Sequence, residues 1–420
     1  MKFGTILLLG AACPLLAQHE HMPGMSMPGM NMGEMNTAGM YLMDQVSGTS
    51  MNPGSWSMPM QMTHLGSWNL IWMGTAYLVD TQQSGPRGGD KFYSPNWFMV
   101  SAEHSVGSKS AFQADLMLSL DPATITDRRY PLLFQTGETA YGRPLVDAQH
   151  PHNFIMALGF HYVYRANSGI TLDAYFAPVG DPALGPVAYP HRASAAELPQ
   201  ATISHHLQDS THIADEVATV GLMYRKFKLE SSGFHGAEPG ENRWIVETGA
   251  IDSWSARLWY FPSVNWAAQV STGRLAHPEA LEAGDQVRTT ASLQYSRPMT
   301  GGGSWSTSLI WGRTHNTASQ HNLNSYLVES VLPIGRNNFV TGRFELADKD
   351  ELFPPDNATY RVAAYTAGYT RDLPLFRYIE SGIGANLTFY AIPPAIRPAY
   401  GDHPVGANVF VRFRLRPPSR

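Results

Sequence analysis

Apolar and polar residues alternate along much of this chain, most clearly from Gln286 to Arg313. Val287, Thr289, Ala291, Leu293 and Tyr295 fall on one side, and Arg288, Thr290, Ser292, Gln294 and Ser296 on the other. After Pro298-Met299-Thr300-Gly301-Gly302-Gly303 the pattern resumes, with Trp305, Thr307, Leu309 and Trp311 against Ser304, Ser306, Ser308 and Gly312. Successive side chains of a strand point to opposite faces, so this stretch predicts a hairpin with one oily and one wet face. The oily face ends in aromatics, which suit the boundary between lipid and water. Strands of a transmembrane β-barrel read this way, apolar outward and polar toward the lumen. A soluble β-sandwich alternates in the same manner, so the hairpin alone does not choose between them.

The spacing of the remaining segments decides the matter. Sixteen candidate strands follow one another, at 67–78, 92–105, 110–120, 153–165, 170–179, 216–224, 227–235, 253–261, 266–273, 286–297, 304–313, 324–333, 338–345, 359–371, 376–390 and 407–416. Connections after odd-numbered segments are long, among them 121–152 and 180–215, whereas those after even-numbered segments are short, such as 225–226 and 298–303. Long loops on one rim and short turns on the other is the outer-membrane pattern, with the short turns in the periplasm. A sandwich has no reason for such alternation. The sequence therefore predicts an all-β fold: a single transmembrane antiparallel β-barrel of about 16 strands over 67–416, with a short extension at 417–420. Arg412, Arg414 and Arg416 share one face of the last segment. On the lipid side each would cost roughly 2–4 kcal/mol near the midplane, so they are expected to face the lumen or the aqueous rim.

The start of the chain supplies the compartment. Lys2, the apolar run Phe3 to Leu16 and Ala17 have the form of a secretory signal over 1–17. The single cysteine, Cys13, lies within it; a lipoprotein would need Cys13 as its first mature residue, and Gly10 suits that poorly. A formal charge of -5 without a basic patch argues against nucleic acid as a partner. From 18 to 66 the chain is rich in Met, Pro, Gly, Ser and Asn and poor in branched aliphatics, so a disordered periplasmic tail is expected. Twelve of the 19 methionines fall between Met22 and Met62. Met22, Met25, Met27, Met30, Met32 and Met35 recur at spacings of two and three, with His19 and His21 ahead of them. Thioethers are soft ligands that favour Cu(I), and a flexible repeat lets several converge without a scaffold. Linkers are ordinarily built from Gly, Ser, Pro or charge, so the methionine excess wants another cause.

Histidines concentrate in the long connections. Ser204-His205-His206-Leu207-Gln208-Asp209-Ser210-Thr211-His212 is the densest group, and as a helical turn it would put His205, Asp209 and His212 on one face. Two imidazoles and a carboxylate so placed suit Cu(II) or Zn(II), and equally a polar solute or a packed loop. His150-Pro151-His152 and His191 are the other candidates for metal or solute contact. Turn formers mixed with apolar residues between Asp181 and His191 suggest that 180–215 folds back into the lumen as a constriction. His161 should face inward from its strand in a structural role. No serine-hydrolase elbow, His-Glu-x-x-His or phosphate-binding loop is present, and His104-Ser105 lacks an orienting partner, so an enzyme is not expected.

The methionine-rich head, Met22-Pro23-Gly24-Met25-Ser26-Met27-Pro28-Gly29-Met30, is similar in style to that of outer-membrane copper resistance protein B. The chain as a whole resembles uncharacterised outer-membrane barrel proteins of copper-handling bacteria. The resemblance to the copper protein covers the tail only, and the chain departs from the usual barrel ending by running past Phe413 to Arg420. It implies binding or passage of copper or silver, no required cofactor, contact with outer-membrane lipid, and a periplasmic copper-handling partner. The competing expectation is a porin-like channel for small organic solutes, in which the tail is a tether.

Overall fold

The computed structural model describes residues 35–416, apart from 301 and 357. Sixteen antiparallel strands close into one barrel, and neighbours in the wall are neighbours in sequence. The first strand, Trp68–Gln83, pairs with Asn96–Val106 on one side and with the last strand, Val405–Leu415, on the other, which seals the ring. Pro95 interrupts the second strand, whose upper part, Gly89–Tyr93, continues the same pairing with Trp68–Gln83. Closure leaves no edge, so wall backbone groups bond to neighbouring strands rather than face lipid. Turns at 107–109, 166–169, 225–226 and 264–265 are short, while 119–154, 181–213 and 235–252 are long. The expected alternation of rims is realised in these, whereas 84–88 and 317–321, expected to be long, have five residues each because the strands beside them run farther than the sequence pattern indicated.

Side-chain alternation sets the two faces of this wall. In Gln286–Pro298 and Ser304–Asn316, the pair that predicted the hairpin, Arg288, Thr290, Ser292, Gln294, Ser306 and Ser308 are buried inward, and Leu293, Trp305 and Leu309 are exposed outward. An aromatic belt encircles the short-turn end of that outer face. Phe227 lies 4.8 Å from Tyr260, Trp266 is 4.7 Å from Tyr295, and Tyr295 is 5.3 Å from Trp305, measured between ring centres. Such rings sit at headgroup level and mark the periplasmic interface.

The lumen is filled. Residues 181–213 fold inward and run around the inner wall, as the composition of that loop suggested. Their backbone is held by wall side chains: Ser232 Oγ accepts from Ala183 N at 2.8 Å, Ser271 Oγ from Gly185 N at 2.9 Å, and Tyr77 OH donates to Ala196 O at 2.9 Å. Arg192 is the central anchor. It meets Glu329 of the wall at 2.5 Å and Asp209 of its own loop at 2.9 Å, and Arg343 completes the group at 2.9 Å from Glu329. Arg412 and Arg414 face the lumen as expected, clamping Glu197 of the loop against Asp372 and Glu380. Arg416 donates to Phe376 O at the periplasmic rim. His161 is buried inward, 3.0 Å from Asp115 and stacked on Tyr175, the structural role expected of it.

The expected disordered tail requires correction over its described part. Thr37–Met43 is a helix capped by Asn36, whose side chain accepts from the N–H groups of Ala38 and Gly39. Gly39 lets the helix lie close to Glu103, whose Oε1 would be 2.3 Å from a Cβ there and would have to shift. The chain then crosses the lumen: Thr49 O accepts from Lys228 at 3.0 Å, Asn52 Oδ1 accepts from Ala193 N at 3.2 Å, and Ser55 N returns to Val264 O at the periplasmic turn. Gln61–Leu65 finally pairs with Trp68–Trp72 of the wall. Composition predicted disorder because it counts only the apolar surface a segment can bury by itself. A polar lumen instead supplies the missing hydrogen-bond partners. Residues 1–34, with the expected signal and most of the methionine repeat, and 417–420 lie outside the described residues.

Arg192→Ala would leave Glu329 and Asp209 buried with one cation fewer, at a cost of about 3–5 kcal/mol. The expected outcome is a barrel that still resists unfolding in cold SDS but whose 181–213 loop is cut by protease. A loop as protected as the parent's would refute the anchoring role.

Candidate functional site

Five histidines from two loops meet inside the filled lumen. His150 and His152 follow the strand Arg143–Gln149, while His205, His206 and His212 come from the inward loop. Ring centres lie 5.5 Å apart for His150–His206, 5.1 Å for His205–His206, 5.4 Å for His205–His212 and 5.6 Å for His152–His212. One ring nitrogen from each of His150, His205 and His206 lies within 4.8 Å of the other two.

Most of these rings are already held at Nδ1. His205 Nδ1 donates to Asp209 Oδ1 at 2.7 Å and His152 Nδ1 to Asp121 Oδ2 at 2.8 Å. His212 Nδ1 donates to Asp209 O at 2.8 Å, and His150 Nδ1 to Pro151 O at 3.0 Å. Fixing Nδ1 in this way leaves Nε2 as the ligand atom and orients the ring, as second-layer partners do around metal-bound histidines. The Nε2 atom of His212 is buried without a hydrogen bond, His206 has neither nitrogen bonded, and His150 Nε2 faces only a carboxylate. His150 Nε2 lies 3.1 Å from Glu138 Oε1, and the same carboxylate pairs with Arg243. Gly137 allows the close approach of His206: its backbone has φ +108°, and a Cβ there would sit 2.5 Å from His206 Nδ1. Burial pushes the imidazolium of His150 down to about 3 and those of His206 and His212 well below the ordinary value, so these rings are neutral and competent to ligate.

The sequence-derived candidates divide among three fates. His150, His152, His205, His206 and His212 come together. Asp209 joins them but not on a shared helical face, since the helix ends at Gln208 and Asp209 has φ -146°. Its carboxylate is not free to ligate, because Oδ1 accepts from His205 and Oδ2 from Arg192 and from Tyr189 N. Asp209 is therefore placed to position His205 and the loop, the packing role left open for it above. His191 points elsewhere, with its ring 4.4 Å from Trp97. Of the tail candidates only Met35 is described; His19, His21, Met22, Met25, Met27, Met30 and Met32 lie outside the described residues. Sequence reasoning missed the hairpin Tyr130–Ala140 and Arg143–Gln149, which carries Glu138 and delivers His150. Its turn, Tyr141-Gly142, has positive φ at both residues, and the glycine was the available signal.

No family model and no curated protein matches this chain. Solved structures do. An anion-selective porin from Comamonas acidovorans aligns with a TM-score of 0.52 at 13% identity, covering 83% of this chain and 99% of its own. Salmonella typhi OmpF in complex with daunomycin gives 0.51 at 8% identity, covering 84% and 100%. OmpT, an outer membrane protein of Vibrio cholerae, gives 0.50 at 6%, covering 84% and 99%. At such identities the likeness is one of fold. With the closed barrel and its apolar outer band, it places the protein in the bacterial outer membrane.

His150 and His191, the latter also lowered to about 3 by burial, stay neutral in the folded protein but take up protons near pH 6.5 once unfolded. Below pH 6.5 the unfolded chain binds more protons, so stability falls as pH falls toward 3, by about 1.4 kcal/mol per unit and per histidine. The loop's protease resistance is expected to decline from pH 6.5 to 4, less steeply in His150→Gln. Equal slopes in parent and variant would exclude the effect.

Proposed function

We propose that this barrel binds copper inside its filled lumen, at His150, His205 and His206, with His152 and His212 beside them. The convergence of three buried ring nitrogens within 4.8 Å carries the reading. An imidazole buried with both nitrogens unpartnered, as in His206, costs about 1–3 kcal/mol, and a bound metal removes that cost. Imidazole suits both copper and zinc. The methionine-rich head, Met22 to Met35 with His19 and His21, favours copper, since thioethers select the soft ion. Carboxylates extend from the centre toward the long-loop rim: Glu238 and Glu279 each place an oxygen within 4.8 Å of a His206 nitrogen. Both come from extracellular loops, so a cation has a chain of ligands between the outer surface and the histidines. A periplasmic copper-handling partner would exchange the ion with the head.

A second reading, passage of small organic solutes, is favoured by the porin-type fold. It requires the loop 181–213 and the N-terminal segment to shift, because both occupy the lumen.

Titration of the purified full-length protein with Cu(II) is expected to show one tight site, weakened at least tenfold in His206→Ala. Gly137→Ala, which removes no ligand but crowds His206, is expected to weaken binding as well. Unchanged affinity in both variants would sink the copper centre. Planar-bilayer recordings separate the second reading: the full chain is expected to be closed, and steady conductance from it would favour solute passage.

A further inference from the structure

A second cluster of soft donors, made of different residues from the histidine group, lies in the lumen wall. Met73, Met99 and Met117 stand on three adjacent strands in direct register, Met73 opposite Met99 and Met99 opposite Met117. All three are buried. Cross-strand partners have Cβ atoms about 4.5–5.5 Å apart, well within reach of two thioether side chains. The N-terminal segment brings Met43, Met58 and Met60 against the same row. A lumen-facing wall is normally polar, and the neighbouring inward positions here are Ser101, Glu103, Gln113 and Asp115.

A small cavity runs between the wall row and the N-terminal segment, lined by Met43, Met58, Met60, Met73 and Met99, by the aliphatic Leu42, Val46 and Ile71, and by Gln45, Ser101, Gln113 and Asp115, while Met117 stands opposite Met99 outside the lining. Gln45 and Gln113 are buried, and the Oε1 of each has no hydrogen-bond partner. Packing accounts for part of the cluster, which also holds Ile71, Val179 and Ile213, but not for the two orphaned oxygens. Leucine or isoleucine would fill the same space with better-defined rotamers. Two orphaned amide oxygens beside the same cavity call for an electropositive partner. The carboxylate of Asp115 is already engaged, by His161 at 3.0 Å and by Gln113 Nε2 at 2.9 Å. What remains is a set of neutral thioethers and neutral carbonyl oxygens, which suits a soft ion of low charge.

We propose that Met43, Met58, Met60, Met73, Met99 and Met117 form a thioether site for a monovalent soft cation, Cu(I) or Ag(I), within the barrel. The site is separate from the histidine centre and does not depend on it. The same cluster extends to Ile213, next to His212 in sequence.

The test uses the full chain with Met22, Met25, Met27, Met30, Met32 and Met35 replaced by leucine and His19 and His21 by glutamine, so that these donors of the head contribute nothing. Titrated with Ag(I), this protein is expected to bind one ion. Adding Met73→Leu, Met99→Leu and Met117→Leu, which conserves volume, is expected to weaken that binding at least tenfold. Cu(II) binding at the histidines should be the same in both proteins, so failure here is distinguishable from failure of the histidine centre. Equal Ag(I) affinity with and without the three wall methionines would overturn the proposal. Should the triple variant not fold, copper-edge X-ray absorption of the head-substituted protein carrying one equivalent of Cu(I) decides the question. Sulfur scatterers support the site, and nitrogen or oxygen scatterers alone overturn it.

Discussion

A barrel solves its backbone problem by closing on itself, and that solution creates another. Every second residue of every strand then faces an interior that lipid cannot reach, and in this protein those residues include arginine, glutamate, lysine and aspartate. Sixteen strands enclose a space too wide for opposing walls to satisfy one another. Water could do it, as in an open channel. Here the chain does it, with a loop entering from one rim and the N-terminal segment from the other, and Arg192 bridging Asp209 to Glu329 at the centre. Removing either half of such a buried pair is costly, so the filling and the wall specify each other.

The wall was legible in the sequence because lipid imposes a simple rule on it. A period of two, a short turn and a long loop recur down the chain, and the Gln286–Pro298 strand matches its predicted faces residue by residue. What fills the wall obeys no such rule. Residues 35–60 are too poor in branched aliphatics to bury a core of their own, and the partners that the lumen offers, such as Lys228 to Thr49 and Asn52 to Ala193, hold them in place. The histidines were legible as a list but not as a site. His150 and His206 are 56 positions apart in sequence, and the hairpin that delivers His150 has irregular pairing, with register shifts at Pro131/Thr136 and Thr136/Thr139. The wall methionines were invisible for a related reason. Met73, Met99 and Met117 are single residues in separate strands until the register sets them side by side.

The two donor groups differ in a way that follows from their surroundings. Four of the five histidines are orientated by fixed acceptors, Asp209, Asp121 and backbone carbonyls, and only His206 lacks one, so most of their nitrogens have little freedom. The methionines have three rotatable bonds each and no anchoring hydrogen bonds, so they adapt to whatever occupies the cavity between them. A rigid nitrogen centre and a compliant sulfur pocket suit different charges and geometries of ion.

The first and last strands share only nine paired positions, from Thr75–Arg414 to Gln83–Gly406, whereas Gln286–Pro298 and Ser304–Asn316 share thirteen. Below Thr75 the first strand is zipped instead to Gln61–Leu65, the end of the same segment that threads the interior. One stretch of chain thus acts as both cork and latch. Drawing it out toward the periplasm would empty its share of the bore and strip the lower half of the first strand in a single movement, while loop 181–213, tied to the wall by Arg192 and Glu197, stayed behind.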